Sequence, residues 1–206
     1  MASNALNKFK KTIARCESLV ECYKTLHAQN QADGATPAPK DIVRGAVVLA
    51  VAAMDAYVTD IFCEKLVPYL KRYTPDPSLV ELLSKAGLDT REALNLLAME
   101  RPYRRIRTLI TRYYETYTTQ KFDVIDGIFL PFRLKNLTDN AAAKAGRKSL
   151  KKSVGLLVAR RQEIAHGGDY NSHGRIKEID EESIAKRIKH LELLIENMDV
   201  IICNKI

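Results

Sequence analysis

The sequence predicts an all-α fold, a helical bundle with long antiparallel helices, and three observations predict it. Apolar residues recur at three- and four-residue spacing along most of the chain. No stretch alternates with period two for long enough to make a sheet. The interruptions are residues that start and stop helices: Asp33-Gly34, Pro75, Pro77, Pro102 and Gly167-Gly168.

The first helix is expected from about Asn4 to Gln29, with Leu6, Phe9, Ile13, Leu19, Tyr23 and Leu26 as its apolar set. The polar stretch Gln31 to Pro39 ends it as a loop. A long second helix begins near Lys40 and runs to about Arg72. Val43, Val47, Ala50, Met54, Val58, Ile61 and Phe62 cover one face, and Gly45, Ala46, Ala52, Ala53 and Ala56 allow close helix packing. Asp55 falls inside that face, about 80° from Val47, and an acid there is out of pattern.

Pro75 and Pro77 precede a short helix, Leu79 to Lys85. Asp89 or Thr90 can cap the next helix, and Pro102 kinks or restarts the pattern. Beyond it, Tyr103, Ile106, Ile110, Tyr113 and Tyr117 form a core-type stripe, opposite Arg101, Arg105, Thr108 and Arg112. Arginines interleaved with tyrosines can hold phosphates and stack bases; equally, they can be a solvated face behind a core stripe. Phe122 to Phe132 reads as an apolar loop packed on the bundle, and Asn136 to Arg147 as an exposed approach to the next helix.

A helix from Leu150 to His166 follows, stopped by Gly167-Gly168, and Asp169 to Arg175 is turn-like. Asp180 caps the last helix, with Glu181 and Glu182 in its first turn. Its Ile184, Ile188, Leu191, Ile195, Met198 and Ile202 are spaced as a bundle or dimer seam. Residues 1–206 are expected to form one helical domain, with 75–148 as a less regular insertion.

With 46% hydrophobic and 28% charged residues, the composition is that of an ordinary globular protein. The longest apolar run, Gly45 to Met54, falls short of the ~20 residues of a membrane span. Lys8, Lys10 and Lys11 stand where a secretory signal would have its apolar segment. Cys16, Cys22, Cys63 and Cys203 show no CxxC spacing, so reduced thiols in a cytoplasmic protein are expected, with no metal site and no cofactor. The net charge of +8 is uneven: residues 101–161 hold fifteen Lys/Arg against four Asp/Glu. That asymmetry suits a surface that meets a polyanion, and it also suits helix faces that are merely solvated.

The most informative stretch is Arg160-Arg161-Gln162-Glu163-Ile164-Ala165-His166-Gly167-Gly168. On its helix, Leu150, Val154, Leu157, Val158 and Ile164 define an apolar arc. Arg161 projects within about 20° of Leu150, and His166 lies about 140° round from Arg161. A permanently charged side chain at the centre of an apolar arc needs an anion, an acceptor or a partner chain. One reading is a buried Arg–carboxylate pair with a helix-ending His. The other is an Arg/His site, because guanidinium and imidazole together can bind a phosphodiester and move its protons without a metal. Asp55 and Arg161 each interrupt an apolar face, and each can be the other's partner.

These residues resemble the HEPN superfamily, helical bundles that bind nucleotides and RNA, and within it the RiboL-PSP-HEPN type. Two stretches carry the resemblance: Ile42 through Val58 ending in Ile61-Phe62, which contains Asp55, and Arg161-Gln162-Glu163-Ile164-Ala165-His166-Gly167, similar to the family's Arg-polar-x-x-x-His signature. The resemblance implies a metal-independent endoribonuclease, a toxin or phage-defence effector that needs no cofactor. Arg161 and His166 would be catalytic, with Gln162 and Asp55 supporting them. Gln162 departs from the Asn, Asp or His more common at its position. Arg160, Arg101, Arg105, Arg112 and Lys151 are candidates for RNA contacts. The resemblance also implies a homodimer with its Arg/His pairs facing across a cleft, and an antitoxin or other defence protein as partner, with no membrane. Members without cleavage activity act as RNA- or nucleotide-binding or protein-interaction modules, and that alternative stays open here.

Overall fold

A computed structural model describes residues 2–34, 36, 38–115 and 120–206. Nine α-helices account for most of them: α1 (Asn4–Ala32), α2 (Asp41–Arg72), α3 (Pro77–Lys85), α4 (Thr90–Leu97), α5 (Pro102–Glu115), α6 (Phe122–Phe129), α7 (Leu137–Lys144), α8 (Leu150–Gly167) and α9 (Glu181–Lys205). Among the described residues there is no strand, only an isolated antiparallel bridge between Tyr170 and Ile176. The fold is an all-α helical bundle, as the sequence predicts.

Four long helices make the core, and their side-chain pairs fix the directions. Lys8 of α1 meets Asp60 of α2 at 2.7 Å, and Glu64 accepts from the backbone N–H of Ala5 at 3.1 Å, so α1 and α2 are antiparallel. Lys24–Glu182 and Lys10–Glu196 pairs run α9 antiparallel to α1. Ser153 of α8 meets His190 of α9, and Arg160 meets Glu178 just before α9, so α8 descends as α9 rises. The seam of α9 is buried throughout, from Ile184 to Ile202, inside this one chain. Each such side chain contributes about 1.5–3 kcal/mol of transfer free energy. The 4-3-4-3-4 spacing is therefore a bundle seam.

Among the described helices, α2 alone is long and apolar enough to cross a membrane by length and composition. Most of that apolar stretch is buried by the other helices, as expected of a central core helix. Pro68 lies inside its final turns, where the helix nonetheless continues to Arg72.

A buried polar node pins the chain's start to its end. Asp199 accepts from the Ser3 hydroxyl, from the Ser3 N–H at 3.2 Å and from the Tyr57 hydroxyl at 3.2 Å. Burial and then the Asp199 carboxylate push the Tyr57 pKa well above its ordinary value, so the phenol stays a donor.

The caps at Asp89 and Asp180 are as the sequence predicts: their carboxylates accept from the N–H groups of Glu92 and Ser183. Pro102 opens α5 rather than kinking a longer helix. Three segments differ from expectation. Phe122 to Phe132 is a helix followed by a 3-10 turn at Leu130–Phe132, with Pro131 early in that turn and Phe129 and Phe132 fully buried. Asn136 to Arg147 contains α7, whose Leu137, Thr138 and Ala141 are buried. Its own N-cap residue makes no side-chain cap, and Asp126 of α6 caps it from outside, accepting from Thr138 N–H at 2.8 Å and Thr138 Oγ1 at 3.0 Å. On α5, Tyr103 is exposed, and Tyr114 joins Ile106, Leu109 and Ile110 in the core instead. The expected core tyrosine Tyr117 lies outside the described residues.

Candidate functional site

The site is built at the C-terminal end of α8. Gly168 terminates that helix with φ +60°, and a Cβ there would lie 3.1 Å from the Tyr170 ring, so both conformation and space favour glycine. Asp169 follows with φ +64°, a left-handed position that Asp tolerates better than most residues. This double left-handed step turns the Asp169 carboxylate inward, where the side chain is fully buried.

Two guanidinium groups receive it. Arg44 Nε of α2 and Arg160 Nη2 of α8 each donate to Asp169 Oδ2 at 2.7 Å. The same arginines bind the returning arm of the turn: Arg44 Nη2 donates to Lys177 O at 2.6 Å, and Arg160 Nη2 to Glu178 O at 2.9 Å. The Lys177 N–H closes the turn onto Asp169 O at 2.7 Å, and Asn171 Oδ1 accepts from the N–H groups of His173 and Arg175. The 169–178 turn is thus bolted to both α2 and α8, which fixes the end of the helix that carries His166.

Arg161, beside this latch, has different surroundings. Its side chain is half-buried, and the apolar arc on which it sits is closed by this chain: Leu150, Val154, Leu157 and Val158 are buried against the rest of the bundle. Arg161 Nη1 donates to Gln120 Oε1 at 3.4 Å, and Gln120 Nε2 donates to Asp55 Oδ2 at 2.8 Å. Asp55 therefore approaches Arg161 through an intervening amide. Among the described residues Arg161 makes no ion pair, and its Nε is buried without a hydrogen-bond partner.

His166 and Gln162 are exposed on the last turns of α8, and neither makes a side-chain hydrogen bond to a described residue. As the last-turn cation position, His166 faces the negative end of the helix dipole when protonated.

The RNA-contact candidates divide. Arg101, just before α5, and Arg112, on α5, are exposed. Arg105 is paired with Glu92 at 2.5 Å. Lys151 is paired with Asp139 at 2.6 Å and lies over the Phe122 ring at 5.0 Å. Arg160 is engaged by Asp169 and two carbonyls rather than presented to solvent. Among the described residues no group of three or more His, Cys, Asp or Glu gathers as a metal site would need. All four cysteines are free thiols.

Sequence reasoning missed Arg44, Asp169 and Gln120. Arg44 carried a signal: it stands between Val43 and Val47 on a buried face, the same break of pattern as Asp55. Asp169 carried a weaker one, as the acid directly after the Gly pair. Gln120 carried none, since it ends a Tyr- and Thr-rich stretch with no periodicity of its own.

A family model described as RiboL-PSP-HEPN matches residues 10–204, which include the Asp55 helix, the turn latch and the Arg161/His166 helix end. No curated protein and no solved structure matches the chain. With nearly its whole length matched, the chain belongs to the RiboL-PSP-HEPN family.

Proposed function

We propose that the protein is a metal-independent endoribonuclease in which Arg161 binds the scissile phosphate and His166 moves protons. The observation that carries the reading is the pairing of an Arg161 with no ion-pair partner among the described residues and a solvent-facing His166 on the same helix end. The RNA 2′-oxygen attacks phosphorus, forming the O2′–P bond as the P–O5′ bond breaks. One imidazole takes the 2′-hydroxyl proton and a protonated imidazole gives one to the leaving 5′-oxygen. Arg161 stabilises the charge that builds on the phosphoryl oxygens. Gln162 and Asp55 are supporting residues, with Asp55 acting through Gln120.

A single chain brings one such histidine to this helix end, and a two-fold dimer would bring base and acid together. The surface available for it is the end of α8 with the exposed Tyr170 and Ile176 of the adjoining turn. Exposed Arg101 and Arg112 suit the approach of the RNA backbone. In this reading the protein acts in the cytoplasm as a toxin or phage-defence effector, restrained by a partner such as an antitoxin.

One observation favours a non-catalytic RNA-binding module: no described residue orients the His166 ring. The two readings separate in one experiment. Purified protein incubated with total RNA in EDTA should produce fragments with 2′,3′-cyclic phosphate and 5′-hydroxyl ends. Binding without fragments would support the module, and 5′-phosphate ends or a need for divalent metal would overturn the proposed chemistry.

A further inference from the structure

We propose that Gln120 is a positioning residue that holds Arg161 in place while keeping Asp55 from neutralising it. The inference rests on reading Arg161 as the phosphate-binding group. Gln120 is 4% exposed and comes from the segment joining α5 to α6, so a polar side chain has been brought into the interior between two helices. Both ends of its amide are used: Oε1 accepts from Arg161 Nη1 at 3.4 Å, and Nε2 donates to Asp55 Oδ2 at 2.8 Å. The orientation of the amide is dictated by its neighbours, since a guanidinium only donates and a carboxylate only accepts.

An amide inserted between acid and base changes what the acid can do. In direct contact, Asp55 would bind Arg161 as an ion pair and cancel its charge for any other ligand. Separated by the length of an amide, the attraction weakens with distance while the geometric hold is kept. Among the described residues, Arg161 is therefore fixed by a neutral acceptor, makes no ion pair, and retains a buried Nε without a hydrogen-bond partner. A carboxylate at position 120 would reverse this.

The test uses a single-stranded RNA oligonucleotide with 2′-O-methyl groups throughout, which cannot be cleaved by internal attack. Its affinity is measured over a salt series for the full chain and four variants. Arg161→Ala should weaken binding about tenfold and reduce the log–log salt slope by about 0.7, the contribution of one cation to a single strand. Gln120→Glu should do the same with Arg161 still present, because the new carboxylate takes the guanidinium. The Gln120→Glu, Asp55→Asn double variant removes repulsion between facing carboxylates and should behave alike, which covers misfolding of the single variant. Gln120→Ala should weaken binding several-fold and lower the slope in part, since the hold is lost and Asp55 can then reach the guanidinium. If Arg161→Ala lowers the slope while folded Glu variants keep it, or Gln120→Ala binds as tightly as the unaltered chain, the inference is overturned and the phosphate-binding role stands. If Arg161→Ala itself changes neither affinity nor slope, the phosphate-binding role falls and the inference with it.

Discussion

Arg44 Nε donates to Asp169 Oδ2 at 2.7 Å, joining the second helix to the turn that follows α8. Arg160 binds the same oxygen from the other side at 2.7 Å, so one buried carboxylate compensates two guanidinium groups. Both arginines are little exposed, and the Asp169 side chain not at all. Removing the acid leaves the two guanidinium groups only their longer, solvent-facing pairs with Asp41 at 3.4 Å and Glu163 at 3.3 Å, and breaking a buried pair in this way costs about 3–5 kcal/mol. Asp169→Ala should therefore lower unfolding stability by about that amount in urea titration. A loss below about 1 kcal/mol would mean that solvent replaces the carboxylate readily.

A second prediction concerns acid stability. His190 is buried between α8 and α9, with Nδ1 2.7 Å from Ser153 Oγ and Nε2 3.4 Å from Arg147 Nη1. Because Arg147 only donates, Nε2 must accept, which places the imidazole proton on Nδ1 toward Ser153. Burial foremost, then the Arg147 and Lys186 charges, hold the His190 pKa below its ordinary value. The unfolded chain therefore binds a proton that the folded chain resists. Stability is complete above the unfolded value, about 6.5, and is lost as pH falls through the lower folded value. His190→Gln should flatten the dependence of melting temperature on pH below about 6.5. An unchanged acid limb in that variant would assign the loss to other groups.

The fold was largely legible because long amphipathic helices announce themselves by spacing, and the α1, α2, α8 and α9 seams are long. What stayed hidden depended on tertiary supply. α7 is capped by Asp126 from another helix, and α6 is only eight residues long, with Gly127 inside it and Pro131 just beyond it, residues that read as a loop. The site shows the same division. Arg161, His166 and Asp55 stand out by type and position, whereas Gln120 acquires its meaning only where the chain folds it between the other two. The carboxylate expected for an Arg in the apolar arc is found one residue earlier, at Arg160 with Asp169, and among the described residues Arg161 pairs with none.

Arg161→Lys gives a third prediction. The guanidinium donates to Gln120 with one nitrogen and has further N–H groups for a phosphate, an arrangement a single ammonium cannot reproduce. RNA cleavage by Arg161→Lys should fall about 10- to 100-fold, near the level of Arg161→Ala, with binding to RNA better preserved than in the alanine variant. Full activity in the lysine variant would show that charge alone suffices.

The most direct measurement is the single-turnover cleavage rate of His166→Ala on an RNA substrate in EDTA, beside the unaltered chain. His166 is exposed and without a side-chain hydrogen bond among the described residues, so its removal should leave the melting temperature and RNA affinity nearly unchanged. The account predicts that the rate drops at least about 100-fold, the loss expected when a general acid–base group is taken away. A rate within a few-fold of the unaltered chain, from a folded variant, would contradict it.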